Sequence, residues 1–144
     1  MKPIKTRIGA LVLFLLCLSV AAGYLLSKAS LVGRTGINLF YKEYRFLKTG
    51  WKGALLVLFV LCLVVAIHWL VQKTTAGNRR ALFHVLILCV GLVGLLLTYS
   101  DFRNTLSHRL LGERFHLGAY LFWLGWLVSG VVFLLAPKQR LGEV

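Results

Sequence analysis

Four long runs of apolar residues, none of which contains Asp, Glu, Lys or Arg, constrain this chain more than any other feature. They cover residues 8–26, 53–71, 81–99 and 117–136. At a rise of about 1.5 Å per residue, each run spans roughly 28–30 Å as a helix, which matches the hydrocarbon core of a bilayer. A helix also satisfies every backbone hydrogen bond within one segment. The sequence therefore predicts an all-α, polytopic integral membrane protein, a single domain over residues 1–144 with four transmembrane helices.

The first run also has the layout of a secretory signal peptide. A basic start at residues 1–7 precedes an apolar stretch, and small residues follow at 19–23. However, the run is longer than the roughly 7–15 residues of a usual signal core, and apolar residues resume at 24–26. We therefore expect this run to remain as a transmembrane helix, with cleavage near Gly23 as the alternative.

The chain is strongly basic, with 17 Lys and Arg residues against 4 Asp and Glu residues and a formal net charge of +13. In a mostly apolar chain this charge predicts contact with the anionic headgroups of a bilayer, and no nucleic acid partner is expected. Four spans place both termini on one side, but the Lys and Arg residues are divided almost evenly between the two faces. The basic start and the short basic connection at 72–80 favour cytoplasmic termini in a bacterial inner membrane.

The first connection contains a helical pattern at residues 37–48. Its apolar and aromatic positions recur at helical spacing, and the cations lie on the opposite side. This pattern predicts an amphipathic helix in the membrane interface, with a loop packed on the helix ends as the alternative. The stretch at 102–111 is a second, shorter candidate on the same membrane face. The residues expected to contact lipid or a partner here are Phe40, Tyr41, Lys42, Tyr44 and Arg45.

Two histidines are the strongest candidates for chemistry inside the apolar runs. His68 and His84 each lie four residues, or about 6 Å, inside the same membrane surface. The short connection between their helices makes these helices antiparallel neighbours, so the two side chains are expected to approach each other. Matched depth is what a bis-histidine b-type haem requires. Hydrogen bonding to each other or to headgroups is the other reading, and it is the one we expect, with no cofactor.

The acidic residues all lie outside the four runs, which argues against ion-coupled transport because such proteins usually need an ionisable group within a span. The sequence shows no glycine-rich phosphate loop, no serine–histidine–carboxylate set and no zinc motif. It therefore favours a small accessory, scaffold or assembly subunit of a larger membrane complex, without catalytic activity of its own. The second hypothesis is a b-haem electron-transfer or oxidase-assembly protein. The third is an enzyme at the membrane face using Asp101, His108, Glu113 and His116.

Two tryptophans of the fourth run lie deeper than an aromatic belt at the membrane surface requires. Trp123 and Trp126 are three residues apart and therefore share a helix face. They predict contact with a partner subunit or a flat cofactor, or packing within the bundle. Close approach of helices is expected at small residues, namely Ser19, Gly23, Gly91, Gly94, Gly118, Gly125 and Ser129.

Three cysteines lie near the middle of their runs. They are odd in number and have no CxxC spacing, which argues against a thiol redox site. We expect them to act as small apolar packing residues; they are Cys17, Cys62 and Cys89.

The interfacial helix can be tested by measuring immersion depth. Spin labels placed along residues 37–48 of the protein in bilayers should show depth varying with a period of about 3.6 residues. Labels at Tyr41 and Tyr44 should lie deeper than labels at Lys42 and Arg45, because aromatic residues anchor in the interface while cations reach the headgroups. Accessibility to oxygen and to a water-soluble nickel chelate measures this depth, and a uniformly aqueous profile would exclude the helix.

Overall fold

The computed structural model describes residues 4–28, 49–105 and 112–136, and apart from short turns these residues are helical. The described elements are α1 (Ile4–Leu26), α2 (Gly50–Thr74), α3 (Gly77–Asn104) and α4 (Glu113–Leu134). All four are long and apolar enough to cross a membrane, which confirms the predicted all-α character and the four predicted helices of membrane-spanning length. The predicted interfacial helix at 37–48 and His108 lie outside the described residues.

The helices differ from the apolar runs mainly by extending beyond them. For example, α3 occupies Gly77–Asn104, where the charge-free run covers only 81–99. The predicted bounds stopped at charged or polar residues, but a helix continues through such residues when their long side chains can reach water at the membrane surface. The end of α4 is the exception, since it lies at Leu134 and not at 136. Helical geometry is unfavourable for Ala136 because Pro137 follows it, so α4 ends earlier than the apolar run.

The turn between α2 and α3 is shorter than the predicted connection at 72–80. Only Thr75 and Ala76 lie outside the two helices. Gly77, the first residue of α3, has a φ of +63°, in the left-handed region that favours glycine. The reversal is therefore completed within three residues.

The helices do not surround a common axis equally. In the described part of the chain, α4 contacts each of the other three helices, and α1 packs against both α2 and α4. Helix α3 packs mainly against α4, and the described residues of α1 and α3 do not approach each other. The prediction that α2 and α3 are neighbours holds near their shared turn, but of all contacting helix pairs these two touch least.

The main core lies between α1, α2 and α4. Its buried side chains are mostly leucines, and Leu61 and Ala22 have no exposed surface. The cluster comprises Leu11, Leu15, Leu18, Ala22, Leu26, Val57, Leu61 and Phe133. The three cysteines are not part of this cluster: Cys17, Cys62 and Cys89 are all exposed. The packing role expected for them is wrong, because a small apolar residue suits an outward, lipid-compatible face as well as a core.

Glycines mark the closest contacts between helices, as predicted. A Cβ atom at Gly23 would overlap the backbone of Ala54, so α1 and α2 touch at this point. At Gly118 of α4 a Cβ atom would lie 2.9 Å from the backbone oxygen of Ala22, and at Gly125 it would lie 2.8 Å from the side chain of Leu61. Close backbone approach at small residues is the usual way in which helices associate in lipid.

The start of α1 and the end of α4 lie at the same end of the bundle. Arg7 donates a hydrogen bond of 3.4 Å from Nη1 to the backbone oxygen of Leu135. The turn between α2 and α3 belongs to the same end, which we call the hairpin end. The other end holds the last turn of α1 and the first turns of α2 and α4.

The contact at Gly23 predicts a position-specific loss of stability. The change Gly23→Ala should lower the free energy of unfolding by about 1–3 kcal/mol, because the added methyl group forces α1 away from Ala54. The matched control is Gly9→Ala in the same helix, where a Cβ atom would meet nothing within 4 Å. Equilibrium unfolding of the detergent-solubilised protein, followed by circular dichroism, compares the two. Equal stability of both variants would contradict the close contact.

Candidate functional site

The most polar buried cluster in the described residues lies at the hairpin end, and we call it the histidine cluster: His68, Gln72 and His84. His68 lies seven residues before Thr75 and His84 lies eight residues after Ala76, so the turn brings both to the same level. Their Nδ1 atoms are 2.9 Å apart, which is hydrogen-bonding distance. The approach of these two side chains, predicted from their matched depth, is confirmed.

Gln72 determines how the protons are arranged in this cluster. It follows His68 by four residues, so both side chains project from the same face of α2. Its Oε1 lies 3.2 Å from Nε2 of His84. Because an amide oxygen only accepts hydrogen bonds, Nε2 of His84 must carry the proton and donate it. In the neutral ring, Nδ1 of His84 is then the acceptor, and Nδ1 of His68 is the donor.

This arrangement leaves a single nitrogen of the pair without a partner. Nε2 of His68 is buried and makes no hydrogen bond. Since Nδ1 of His68 holds the proton of the neutral ring, Nε2 presents a lone pair. His68 as a whole has no exposed surface, and His84 and Gln72 are nearly as buried. The site therefore contains one basic lone pair enclosed by the bundle.

Phe133 of α4 closes the cluster. Its ring stacks on His68 with centroids 5.3 Å apart and an interplanar angle of 13°. It also contacts His84 at 6.0 Å in a tilted arrangement. Phe133 itself is buried, so α4 seals the two imidazoles from the outside. Three helices thus build the site, although α2 and α3 supply all of its polar atoms.

As placed, the two imidazoles leave no space for a haem iron between their Nδ1 atoms. Metal–imidazole bonds are about 2.0–2.1 Å long, so two axial nitrogens stand about 4 Å apart on opposite sides of an iron. Nδ1 of His68 and Nδ1 of His84 are bonded directly to each other at 2.9 Å, which leaves no space for a macrocycle between the rings. Nε2 of His68 is the one nitrogen of the pair that could take a ligand. Within the described residues, no group of three or more His, Cys, Asp or Glu side chains could hold a metal ion.

The two deep tryptophans lie between α3 and α4. Trp126 lies against Gly91, and its Nε1 donates to the backbone oxygen of Ile87 at 2.9 Å. Trp123 lies against Gly94, and its Nε1 donates to Oγ1 of Thr98 at 2.9 Å. The glycines make room for the indole rings and expose the α3 backbone to them. Both rings are half-buried, so packing within the bundle is observed, and contact with a partner remains a prediction.

The residues expected at the opposite membrane face are only partly brought together. Asp101, near the end of α3, accepts a hydrogen bond of 2.7 Å from Oγ1 of Thr105. His116, in the first turn of α4, stacks on Phe102 with ring centroids 4.2 Å apart. Glu113 begins α4 and is exposed. Each of these described side chains thus lies at a helix end, and an enzymatic role for them remains a prediction.

Comparisons of the chain with known protein families, with characterised proteins and with solved structures found no match. Two members of the site were not anticipated from the sequence, Gln72 and Phe133. Gln72 carried a usable signal, since it lies one helical turn beyond His68 and on the same face. Phe133 carried none, because an apolar residue in an apolar run does not show which neighbour it faces.

The hydrogen bonds of the histidine cluster predict mild, unequal effects of substitution. His68→Gln and His84→Gln should each keep most of the stability, because the amide still donates and accepts and a membrane hydrogen bond is worth only about 0.6–2 kcal/mol. His84→Leu should cost more than His68→Leu, since His84 makes two side-chain hydrogen bonds and His68 makes one. Equilibrium unfolding in detergent measures these differences.

The same variants test the haem alternative. We expect no absorption band of b-type haem in a reduced-minus-oxidised spectrum of the purified wild-type protein. A b-type band that disappears in both His68→Gln and His84→Gln would favour axial ligation, because an amide cannot replace the imidazole nitrogen on iron.

Proposed function

We propose that this chain is a small integral membrane accessory or assembly subunit of a larger membrane protein complex, without catalytic activity of its own. In this proposal all four helices are inserted in a bacterial inner membrane with both termini on the cytoplasmic side. The basic surface then contacts anionic headgroups, and another membrane protein covers part of the bundle. The position of α3 carries the proposal.

Helix α3 stands at the edge of the bundle. Within its most apolar stretch only 11% of the residues are buried, against 33% for α1. Its contacts are concentrated on α4, through the faces that carry Gly91 and Gly94. A helix held along one side has the rest of its circumference available for a helix of a second protein.

The face of α3 that points away from α4 is a continuous apolar stripe. Its members are spaced four, four, three and four residues apart, which places them on one side of a helix. All are more than half exposed. This α3 stripe comprises Leu82, Leu86, Val90, Val93 and Leu97.

The polar groups within the described spans support a structural role. Ser19 and Ser129 donate to backbone oxygens one turn earlier in their own helices. The Nε1 atoms of both deep tryptophans, and three of the four ring nitrogens of the buried histidine pair, bond to other groups of the bundle. The bonds of the tryptophans and histidines join neighbouring helices, whereas those of the serines stay within one helix. In both cases these polar atoms are already bonded within the bundle, as a structural role requires.

A second candidate function, b-haem binding, is favoured by one observation: Nε2 of His68 is a buried nitrogen without a partner. His68 would then hold the iron through Nε2. Nδ1 of His84 would orient the imidazole of His68 by accepting its Nδ1 proton, as a hydrogen-bonded neighbour commonly does for a ligating histidine. This differs from a pair of axial histidines. The absorption spectrum described above distinguishes haem binding from the accessory role.

Site-specific photo-crosslinking in native membranes tests the accessory role. A photoreactive amino acid at Leu86, Val90 or Val93 should crosslink one integral membrane protein, which should also co-purify with the chain in a fixed ratio. Control positions are Leu13 in α1 and Phe59 in α2, which are exposed to a similar degree but lie on other helices. Crosslinks from the α3 stripe only to lipid, or only to a second copy of this chain, would contradict the proposal.

A further inference from the structure

A groove of about 490 Å³ runs between α1 and α2 on the outside of the bundle. Its floor is made of small residues, because the two helices approach closely where Gly23 meets Ala54. Its walls are large side chains that are mostly exposed at their outer edges. The lining residues that bear on its contents are Leu16, Ser19, Val20 and Tyr24 of α1 and Trp51 and Ala54 of α2.

The groove can accept only hydrocarbon along most of its length. Ser19 lines the groove, and its Oγ is already bonded to the backbone oxygen of Leu15 at 2.6 Å. On α1 the lining extends from Leu16 to Tyr24, eight residue steps that cover about 12 Å along the helix axis. A slot of this kind runs parallel to the helices. In a bilayer it is therefore aligned with the acyl chains.

Two ammonium groups stand at the mouth of the groove. Nζ of Lys28 lies 5.0 Å from the ring centroid of Tyr24, and Nζ of Lys52 lies 5.6 Å from the ring of Trp51. Both rings line the groove, one on each helix. Cation–π contacts of this kind hold the charges over the rings. Neither α1 nor α2 contains an Asp or Glu residue that would neutralise them.

We propose that this groove binds one acyl chain of an anionic phospholipid, with the phosphate of the same lipid paired with Lys28 and Lys52. The apolar slot and the paired cations at its mouth match the two halves of such a molecule. Basic pockets between transmembrane helices are a recognised form of lipid site. The proposal does not depend on the partner proposed for α3, because the groove lies between α1 and α2 and the described parts of α1 and α3 do not touch.

Native mass spectrometry of the full chain in detergent tests this site by titration with dioleoyl phosphatidylglycerol or dioleoyl phosphatidylcholine. We expect one phosphatidylglycerol to be retained more tightly than phosphatidylcholine. Each cation near a membrane surface contributes enough to anionic lipid binding that Lys28→Gln or Lys52→Gln should weaken it about fivefold and the double variant about 30-fold. Glycerol phosphate, which has no acyl chains, should not compete.

Two matched control variants, Lys73→Gln and Leu13→Phe, separate this site from general basicity and from general lipid contact. Lys73 lies 5.2 Å from the ring of Trp69 in an equivalent cation–π contact at the hairpin end, away from the groove, so Lys73→Gln should leave binding unchanged. Val20→Phe should fill the slot and weaken binding. Leu13→Phe, at an equally exposed position outside the groove, should leave binding unchanged.

Three outcomes would overturn the proposal. They are equal binding of the two phospholipids, equal effects of Lys73→Gln and Lys52→Gln, or undiminished binding in Val20→Phe. The first is also the result expected if another segment of this chain occupies the groove. A missing α3 partner would leave these measurements unaffected, so the two proposals can fail separately.

Discussion

The arrangement of the bundle depends on how closely its helices can approach α4. Between helices in lipid there is no hydrophobic driving force, so association relies on close packing and on hydrogen bonds between helices. Helix α4 offers small residues in three directions: Gly118 toward α1, Gly125 toward Leu61 of α2, and Gly130 toward Leu88 of α3. It is also the helix that contacts all the others.

Hydrogen bonds between helices supplement this packing where the contacts are weakest. Helices α2 and α3 touch least of the contacting pairs, and the bonds from His84 to His68 and Gln72 join them at one end. Farther along, α3 is held through the indole donors of Trp123 and Trp126. Each bond satisfies a polar group that would be costly to leave unpaired in an apolar environment. The unpaired Nε2 of His68 stands out against this pattern.

The central position of α4 also separates the surfaces to which we assign binding. The groove lies between α1 and α2, whereas the α3 stripe points away from the rest of the bundle. The groove has cations at its mouth and a floor of small residues. The α3 stripe consists of branched aliphatic side chains. These differences favour a single lipid molecule for the first surface and a helix of another protein for the second.

The sequence alone determined the four membrane-length helices of the described residues, their apolar character and the approach of His68 to His84. These follow from the lengths of charge-free runs and from residue spacing across a short turn, which are local properties of the chain. The sequence could not determine which helix is central, that Phe133 closes the histidine cluster, or that the cysteines face outward. In a soluble protein the apolar face of a helix identifies the core. Here every face is apolar, so that signal is missing, and only the tertiary structure decides which apolar side chains meet protein and which are left for lipid.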